Sequence, residues 1–166
     1  GKREKVAFPA RRPSVLDFQR RNYDTPPEYA VFGGYVFQPV DANLFESFSQ
    51  TWANSGKSEI LYRYRYYLHH GLFKDRTRDV VLTRRLADPA NVYGARFVNG
   101  LVDTVNGKLV QTFPEFVAAV DAAVASAPAL VIRFRGDPVP LVIRSKDARE
   151  ADLRVARTYA LMQLRR

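Results

Sequence analysis

The sequence predicts an α+β domain, a small antiparallel β-sandwich or barrel with a capping helix and a helical insertion. Three observations indicate this class. Apolar segments flank Asn106-Gly107, two residue types that tolerate positive φ, which predicts a tight hairpin. A helix with clear start signals follows, and a further strand pair surrounds Gly136-Asp137-Pro138. A chain of 166 residues with 46% hydrophobic content can also bury most of its unfolded surface in a core.

The first half of the chain divides into four segments. An Arg- and Pro-rich lead-in over residues 1–27 holds Val15-Leu16-Asp17-Phe18, a short apolar anchor that can dock. The first strand region covers 28–39, and a helical insertion covers 40–79. Within the insertion, Asn54-Ser55-Gly56 ends a first helix, a second helix is predicted over 58–68, and a strand over 80–86 follows. The first helix is indicated by helical spacing of Leu44, Phe45, Phe48 and Trp52.

The second half begins with the hairpin and a well-marked helix. Thr112 fits an N-cap, Pro114 fits the first turn, and Glu115 fits the capping-box position. Strands are predicted over 130–134 and 139–143. After residue 150 the alternation of Ala151, Leu153 and Val155 predicts a strand, followed by a helical or frayed tail. The apolar stripe of the helix consists of Phe113, Phe116, Val117, Val120 and Val124.

The charge lies mostly at the two ends of the chain. The net charge is +9, of which residues 1–24 and 144–166 carry +4 each and the middle only +1. Nucleic-acid-binding domains more often carry a basic patch on the folded surface, although basic arms bind phosphate in a salt-dependent way. No apolar run is long enough to span a membrane, and the absence of cysteine excludes disulfides and thiolate metal sites.

The order of these elements resembles a PDZ domain. The residues that carry the resemblance are Asp103, Val105, Asn106, Gly107, Lys108 and Val110, followed by helix and strand, with Gly33-Gly34 and Tyr35-Val36-Phe37 upstream. The whole order over residues 28–160 is similar to the last PDZ-like domain of HtrA/Deg serine proteases, especially the plant-type Deg enzymes. Residues 161–166 would then be a tail.

The resemblance implies a peptide-binding groove. Backbone N–H groups of the glycine loop would receive a carboxylate or carbonyl, and a peptide would add as a strand along Tyr35 to Phe37. The alternative is that the two glycines form a plain turn, and an apolar helix stripe is more often core than ligand contact. The predicted peptide-binding residues are Gly33, Gly34, Tyr35, Val36 and Phe37, with Phe116, Val120 and Ala123 on the helix.

The segment 61–67, LYRYRYY, indicates a second interaction surface, separate from the predicted peptide groove. Aromatic side chains interleaved with arginine can stack on bases and bind phosphates, which favours a nucleic-acid-binding module as the alternative function. On a helix, however, Leu61, Tyr64 and Leu68 would pack inward and leave Arg63 and Tyr66 outside. Tyrosine and arginine are also enriched at protein interfaces. The predicted interaction surface is therefore Trp52, Tyr62, Arg63 and Tyr66, facing another domain or subunit.

No catalytic or metal site is predicted. Asn54-Ser55-Gly56 faintly matches G-N-S-G-G, the nucleophile motif of trypsin-like enzymes, but Ala53 and Lys57 replace its first and last glycines. The only histidines, His69 and His70, lie downstream of this serine. Gly56-Lys57-Ser58 lacks the first glycine of a phosphate-binding loop. No cofactor is expected. The resemblance implies a non-catalytic module of a serine endopeptidase, for substrate recognition or oligomer regulation in protein quality control, in a bacterial periplasm or cell envelope.

Overall fold

The computed structural model describes residues 19, 21, 23–54 and 58–166. The described part confirms the α+β class, with two antiparallel sheets and helices packed around them. The apolar anchor 15–18 and residues 55–57 lie outside the described residues. The strands are β1 Ala30–Phe32, β2 Tyr35–Pro39, β3 Val80–Arg85, β4 Val102–Val105, β5 Lys108–Leu109, β6 Ala129–Phe134 and β7 Leu141–Arg144. The α-helices are α1 Ala42–Asn54, α2 Ser58–Tyr66, α3 Phe113–Ser126 and α4 Ser145–Thr158, with 3-10 segments Leu72–Lys74 and Pro89–Phe97.

The first sheet has the order β1-β2-β3, with β2 in the centre. The predicted strand region 28–39 is therefore two strands joined at Gly33-Gly34, with Val31 opposite Val36. The first glycine turn has positive φ at both positions, 57° and 78°, which matches the two-residue turns that suit a hairpin twist. The register between β2 and β3 shifts between Val36 and Phe37, which leaves Thr83 as an extra residue on β3, and such a bulge bends the strand that carries it.

The second sheet has the order β5-β4-β6-β7 and contains the predicted hairpin. Asn106 and Gly107 have φ of 46° and 80°, and the Asn106 side chain accepts from the Val131 N–H across the sheet at 2.7 Å. The strand pair around Gly136-Asp137-Pro138 is also confirmed, as β6 and β7. The two sheets meet where Val81 pairs with Leu101.

Helix α3 covers the main core. Thr112 caps it as predicted, because its hydroxyl accepts from the Glu115 N–H at 3.2 Å. The Glu115 carboxylate reaches back to the N–H of Gln111, one residue before the expected cap position. The buried residues Phe113, Phe116, Val120 and Ala123 form the inner face of the helix, and this burial is what attaches α3 to the sheets.

The helical insertion builds a second, smaller core. Helices α1 and α2 pack over the outer face of the first sheet, and the rings of Phe45 and Tyr64 stack at 3.8 Å. Buried ion pairs add to this contact, most directly the Arg63 Nε bond to Asp79 at 2.7 Å. The second core consists of Val40, Leu44, Ile60, Val81 and Leu101, with Phe45, Phe48, Leu61 and Tyr64 packed against it.

The strand prediction for residues 151–155 is wrong, because this segment belongs to α4. The apolar alternation was compatible with a strand, but the residues that are buried follow helical spacing. They are Ser145, Ala148, Ala151 and Val155. Leu153, which the alternation counted as inward, is 62% exposed. The chain then turns at Tyr159 and returns to β1.

Candidate functional site at the first glycine turn and the edge of β1

The Gly33-Gly34 turn is buried and needs glycine for two reasons. Positive φ disfavours other residues at both positions. A Cβ on Gly34 would also lie 2.4 Å from Asn91 Nδ2 and 2.7 Å from the Leu86 carbonyl oxygen. The turn is therefore a tightly packed element as well as a source of backbone N–H groups.

A carboxylate from this chain occupies the N–H groups of the turn. Asp152 Oδ1, on α4, accepts from the Gly33 N–H at 2.6 Å. Burial raises the pKa of Asp152 to about 6, although hydrogen bonds from the Gly33 and Gly34 N–H groups act in the opposite direction. The sequence predicted that this turn would receive a carboxylate, and in the structure the carboxylate is internal.

The carbonyl side of the turn is satisfied by Asn91. This side chain is only 1% exposed, and its Nδ2 donates to the carbonyl oxygens of Gly33 and Leu86, both at 2.8 Å. Its Oδ1 accepts from the Asp88 N–H at 3.2 Å, within a capping box that starts the 3-10 segment. Sequence reasoning did not identify Asn91, although Asp88-Pro89 followed by Asn91 has the spacing of a capped helix start.

The strand at the edge of the first sheet is β1, and β2 is its central strand. Strand β2 pairs with β1 on one side and β3 on the other, so a peptide cannot add along Tyr35–Phe37 in this conformation. Tyr35 and Phe37 are buried and Val36 is half-buried. Burial also raises the pKa of Tyr35 to about 12, as expected for a phenol inside the core.

Helix α3, which carries the three predicted helical contacts with a peptide, does approach the first sheet. The Phe116 ring lies 4.7 Å from that of Phe37 and 6.2 Å from that of Phe32, measured between centroids. Phe116 and Val120 are fully buried and Ala123 is 6% exposed, so all three are core residues here. Their role as ligand contacts stays a prediction.

The outer edge of β1 carries residues of the same chain. Tyr29 and Arg166 exchange two main-chain hydrogen bonds of 3.1 and 2.9 Å, and the Val31 N–H donates to the Leu164 carbonyl at 2.7 Å. Ala30 and Arg165 are thereby antiparallel partners. Arg165 also bonds to Asp121 of α3 at 2.6 Å, which places residues 164–166 between β1 and α3.

The predicted interaction surface on α2 is only partly formed. Tyr62 and Tyr66 are each 43% exposed, and Tyr66 stacks on His70, whose Nδ1 lies 2.7 Å from the Tyr62 hydroxyl. The expectation that Arg63 points outward is wrong: its side chain is 6% exposed and paired with Asp79. Trp52 lies in α1, but its side chain is outside the described residues. The burial of Arg63 removes the central cation from the proposed Tyr/Arg nucleic-acid surface.

Among the described residues no group of three or more His, Cys, Asp or Glu side chains could hold a metal ion. The serine of the weak nucleophile motif, Ser55, is outside the described residues. Within the described ranges the search for membrane-spanning helices found none of sufficient length and apolarity.

Comparison with known families agrees with this geometry. The model of a family described as PDZ domain matches residues 18–165, which is most of the chain. The chain therefore belongs to the PDZ domain family, whose members bind peptides and other proteins. A search of curated proteins found no match.

Proposed function

We propose that this chain is a non-catalytic protein-interaction module that receives an extended peptide, or a segment of unfolded protein, as an added strand on β1 beside α3. The observation that carries the proposal is the antiparallel pairing of residues 164–166 with β1. Strand addition of this kind obtains affinity from main-chain hydrogen bonds and specificity from alternate side chains.

The position of the groove follows from which backbone groups face outward. Tyr29 and Val31 direct their N–H groups away from β2, and α3 lies alongside at Asp121. Ligand contact with Gly33-Gly34 would require the Asp152 carboxylate to leave first. We therefore place the first ligand contacts at β1, and the N–H groups of Gly33-Gly34 become available to a ligand only when the Asp152 carboxylate leaves.

We further propose that the parent protein is a serine protease of the HtrA/Deg type in a bacterial cell envelope. The support is the ordered resemblance of residues 28–160 to the last PDZ-like domain of that family. In such a protein this module would recognise substrate or regulate oligomer assembly. A coding region that continues upstream into a trypsin-like set of His, Asp and Ser would support this parentage, and a gene without one would contradict it.

A second surface favours the assembly role. Tyr62 and Tyr66 form an exposed aromatic face on α2, and such residues are enriched at protein interfaces. We propose that this face contacts another domain or subunit of the parent protein. Replacing both tyrosines by serine should lower the oligomer order of the intact parent in sedimentation, while leaving peptide binding at β1 unchanged.

The peptide proposal is tested by mapping a bound ligand on the whole chain. Ten-residue peptides are screened on an array, and the strongest is titrated into isotope-labelled protein. Amide shifts should cluster at Tyr29, Val31 and the outer face of α3. The same peptide N-methylated at alternate residues should lose binding when the methylated N–H groups are those that face β1, and keep it in the other register, because only alternate residues direct their N–H groups toward the neighbouring antiparallel strand.

Two results would contradict the proposal. Equal binding of the N-methylated peptides would exclude strand addition. Shifts confined to α2, or binding of nucleic acid with a steep salt dependence in place of peptide, would move the function to another surface.

A further inference from the structure

The groove between β1 and α3 is filled by the chain itself. Residues 164–166 contribute a short antiparallel strand, held by three main-chain hydrogen bonds to Tyr29 and Val31. The Tyr29 hydroxyl adds a fourth bond, to the Gln163 carbonyl at 3.0 Å. Any partner that adds to β1 must therefore compete with this segment.

One side chain of the segment lies in a site that fits its chemistry. Arg165 stands opposite Ala30, so it faces the same side of the sheet as Phe32, two residues further along. Its guanidinium carbon lies 4.3 Å from the centroid of the Phe32 ring, within the range of a cation–π contact. The Phe32 ring is itself 1% exposed and therefore fixed in position.

A carboxylate of α3 pairs with the same guanidinium, and the charge of a second carboxyl group, on α4, interacts with it. Arg165 Nη2 lies 2.6 Å from Asp121 Oδ1 on α3. Arg165 is also close enough to Asp152 on α4 for its charge to lower the pKa of that carboxyl, against the larger effect of burial. An aromatic face beside a paired carboxylate is suited to a planar cation and unsuited to an anion.

We infer that Phe32 and Asp121 make this groove selective for a segment with arginine at the position opposite Ala30, and that residues 164–166 are its resident occupant. This inference rests on the proposed function, since it specifies the ligand of that same groove. A partner peptide with arginine at the matching position would displace the resident segment.

The size of the selectivity follows from the exposure of the pair. The side chains of Arg165 and Asp121 are 41% and 45% exposed, so the ion pair is screened by water. Together with the cation–π contact, we expect about a three- to tenfold preference for arginine over glutamate at this position. Because the tethered segment competes, weakening it should increase the apparent affinity for free peptide.

The test uses the full chain and two labelled peptides. The first, TYALMQLRR, has the sequence of residues 158–166, and the second, TYALMQLER, has glutamate in place of the arginine that matches Arg165. Arg165→Ser should bind TYALMQLRR about three- to tenfold more tightly than the wild type and prefer it to TYALMQLER. Adding Asp121→Lys should reverse that preference. Asp147→Lys is the matched control, because Asp147 also lies on a neighbouring helix, α4, but pairs with Arg144, and it should leave the preference unchanged.

Amide hydrogen exchange reports on the resident segment directly. The Tyr29 and Val31 amides should be protected in the wild type and exchange faster in Arg165→Ser. Unchanged exchange would contradict the resident role. Equal binding of the two peptides to Arg165→Ser would overturn the arginine selectivity while leaving the peptide groove intact. Failure of every peptide with every variant would instead overturn the proposed function and this inference with it.

Discussion

The Asp152 carboxyl group, partly buried at the Gly33-Gly34 turn, should make the free energy of unfolding depend on pH. Its pKa is raised from 3.8 to about 6, chiefly by burial, so the folded state holds this proton more tightly than the unfolded state. The contribution of the group to stability is therefore fully present below pH 3.8 and is lost as the pH rises through about 6. Asp152→Asn, which keeps the acceptor for the Gly33 N–H but cannot ionise, should remove this loss.

The magnitude follows from the shift. Each pKa unit corresponds to about 1.4 kcal/mol, so a shift to about 6 sets a ceiling of about 3 kcal/mol. Asp152 is only partly buried, and solvent screening reduces the expected value to about 1–2 kcal/mol. Relative to the wild type, Asp152→Asn should gain this free energy of unfolding between pH 4 and pH 7, measured by urea denaturation at each pH.

The control is Asp147→Asn, since Asp147 lies on the same helix but pairs with the exposed Arg144. It should gain no stability over the same range. A difference between Asp152→Asn and the wild type that does not vary with pH would refute the placement of an ionisable, desolvated carboxylate at the turn.

Three further predictions concern urea unfolding at neutral pH. Gly34→Ala should lower the free energy of unfolding by about 2–5 kcal/mol, because the added carbon is placed at a positive φ and clashes with the buried Asn91 amide. Gly107 has a similar φ but nothing within 4 Å of an added carbon, so Gly107→Ala should lower it by only about 1–2 kcal/mol. Equal losses for the two variants would contradict the close packing at Gly34. Asp79→Ala should lower the free energy of unfolding by about 3 kcal/mol, because it leaves Arg63 buried without its main partner. The double variant Arg63→Met with Asp79→Leu should lower it clearly less than Asp79→Ala does. A loss in the double variant equal to the sum of the two single losses would argue against coupling between Arg63 and Asp79. Phe116→Ala should lower the free energy of unfolding by about 3–5 kcal/mol, because Phe116 is fully buried. A variant of unchanged stability that loses only peptide affinity would instead indicate that Phe116 contacts the ligand.

The cost at Gly34 changes how the groove can be tested. A bulky replacement at this position, such as Gly34→Val, would be expected to abolish peptide binding if the glycine loop receives the ligand. The same replacement would collide with Asn91 and the Leu86 carbonyl, so loss of binding would also follow from unfolding. Substitutions at Asp121 and Arg165, which are partly exposed, separate the two effects.

The features that could be predicted from sequence depend on residues close together in the chain. The Asn106-Gly107 turn and the Thr112 cap are set within a few residues by backbone sterics and local hydrogen bonds. The stripe on α3 likewise needs only helical periodicity. These local features were enough to indicate the fold class.

The same local reasoning failed where two periodicities overlap. In residues 151–155 both a strand and a helix place Ala151 and Val155 inward, and the strand alternative also counted Leu153. Burial against α3, β1 and the neighbouring 3-10 segment decides for the helix, because that packing covers the small side chains of α4.

By itself, the sequence determined the class of fold, the helix cap and the turns, because these depend on interactions between near neighbours. The tertiary structure alone decided what fills the site. The Gly33–Asp152 bond joins residues 119 positions apart, and residues 164–166 return to β1 from still further along the chain. Such contacts depend on where whole elements pack. No local sequence pattern specifies which carboxylate binds the Gly33-Gly34 turn or which segment pairs with β1.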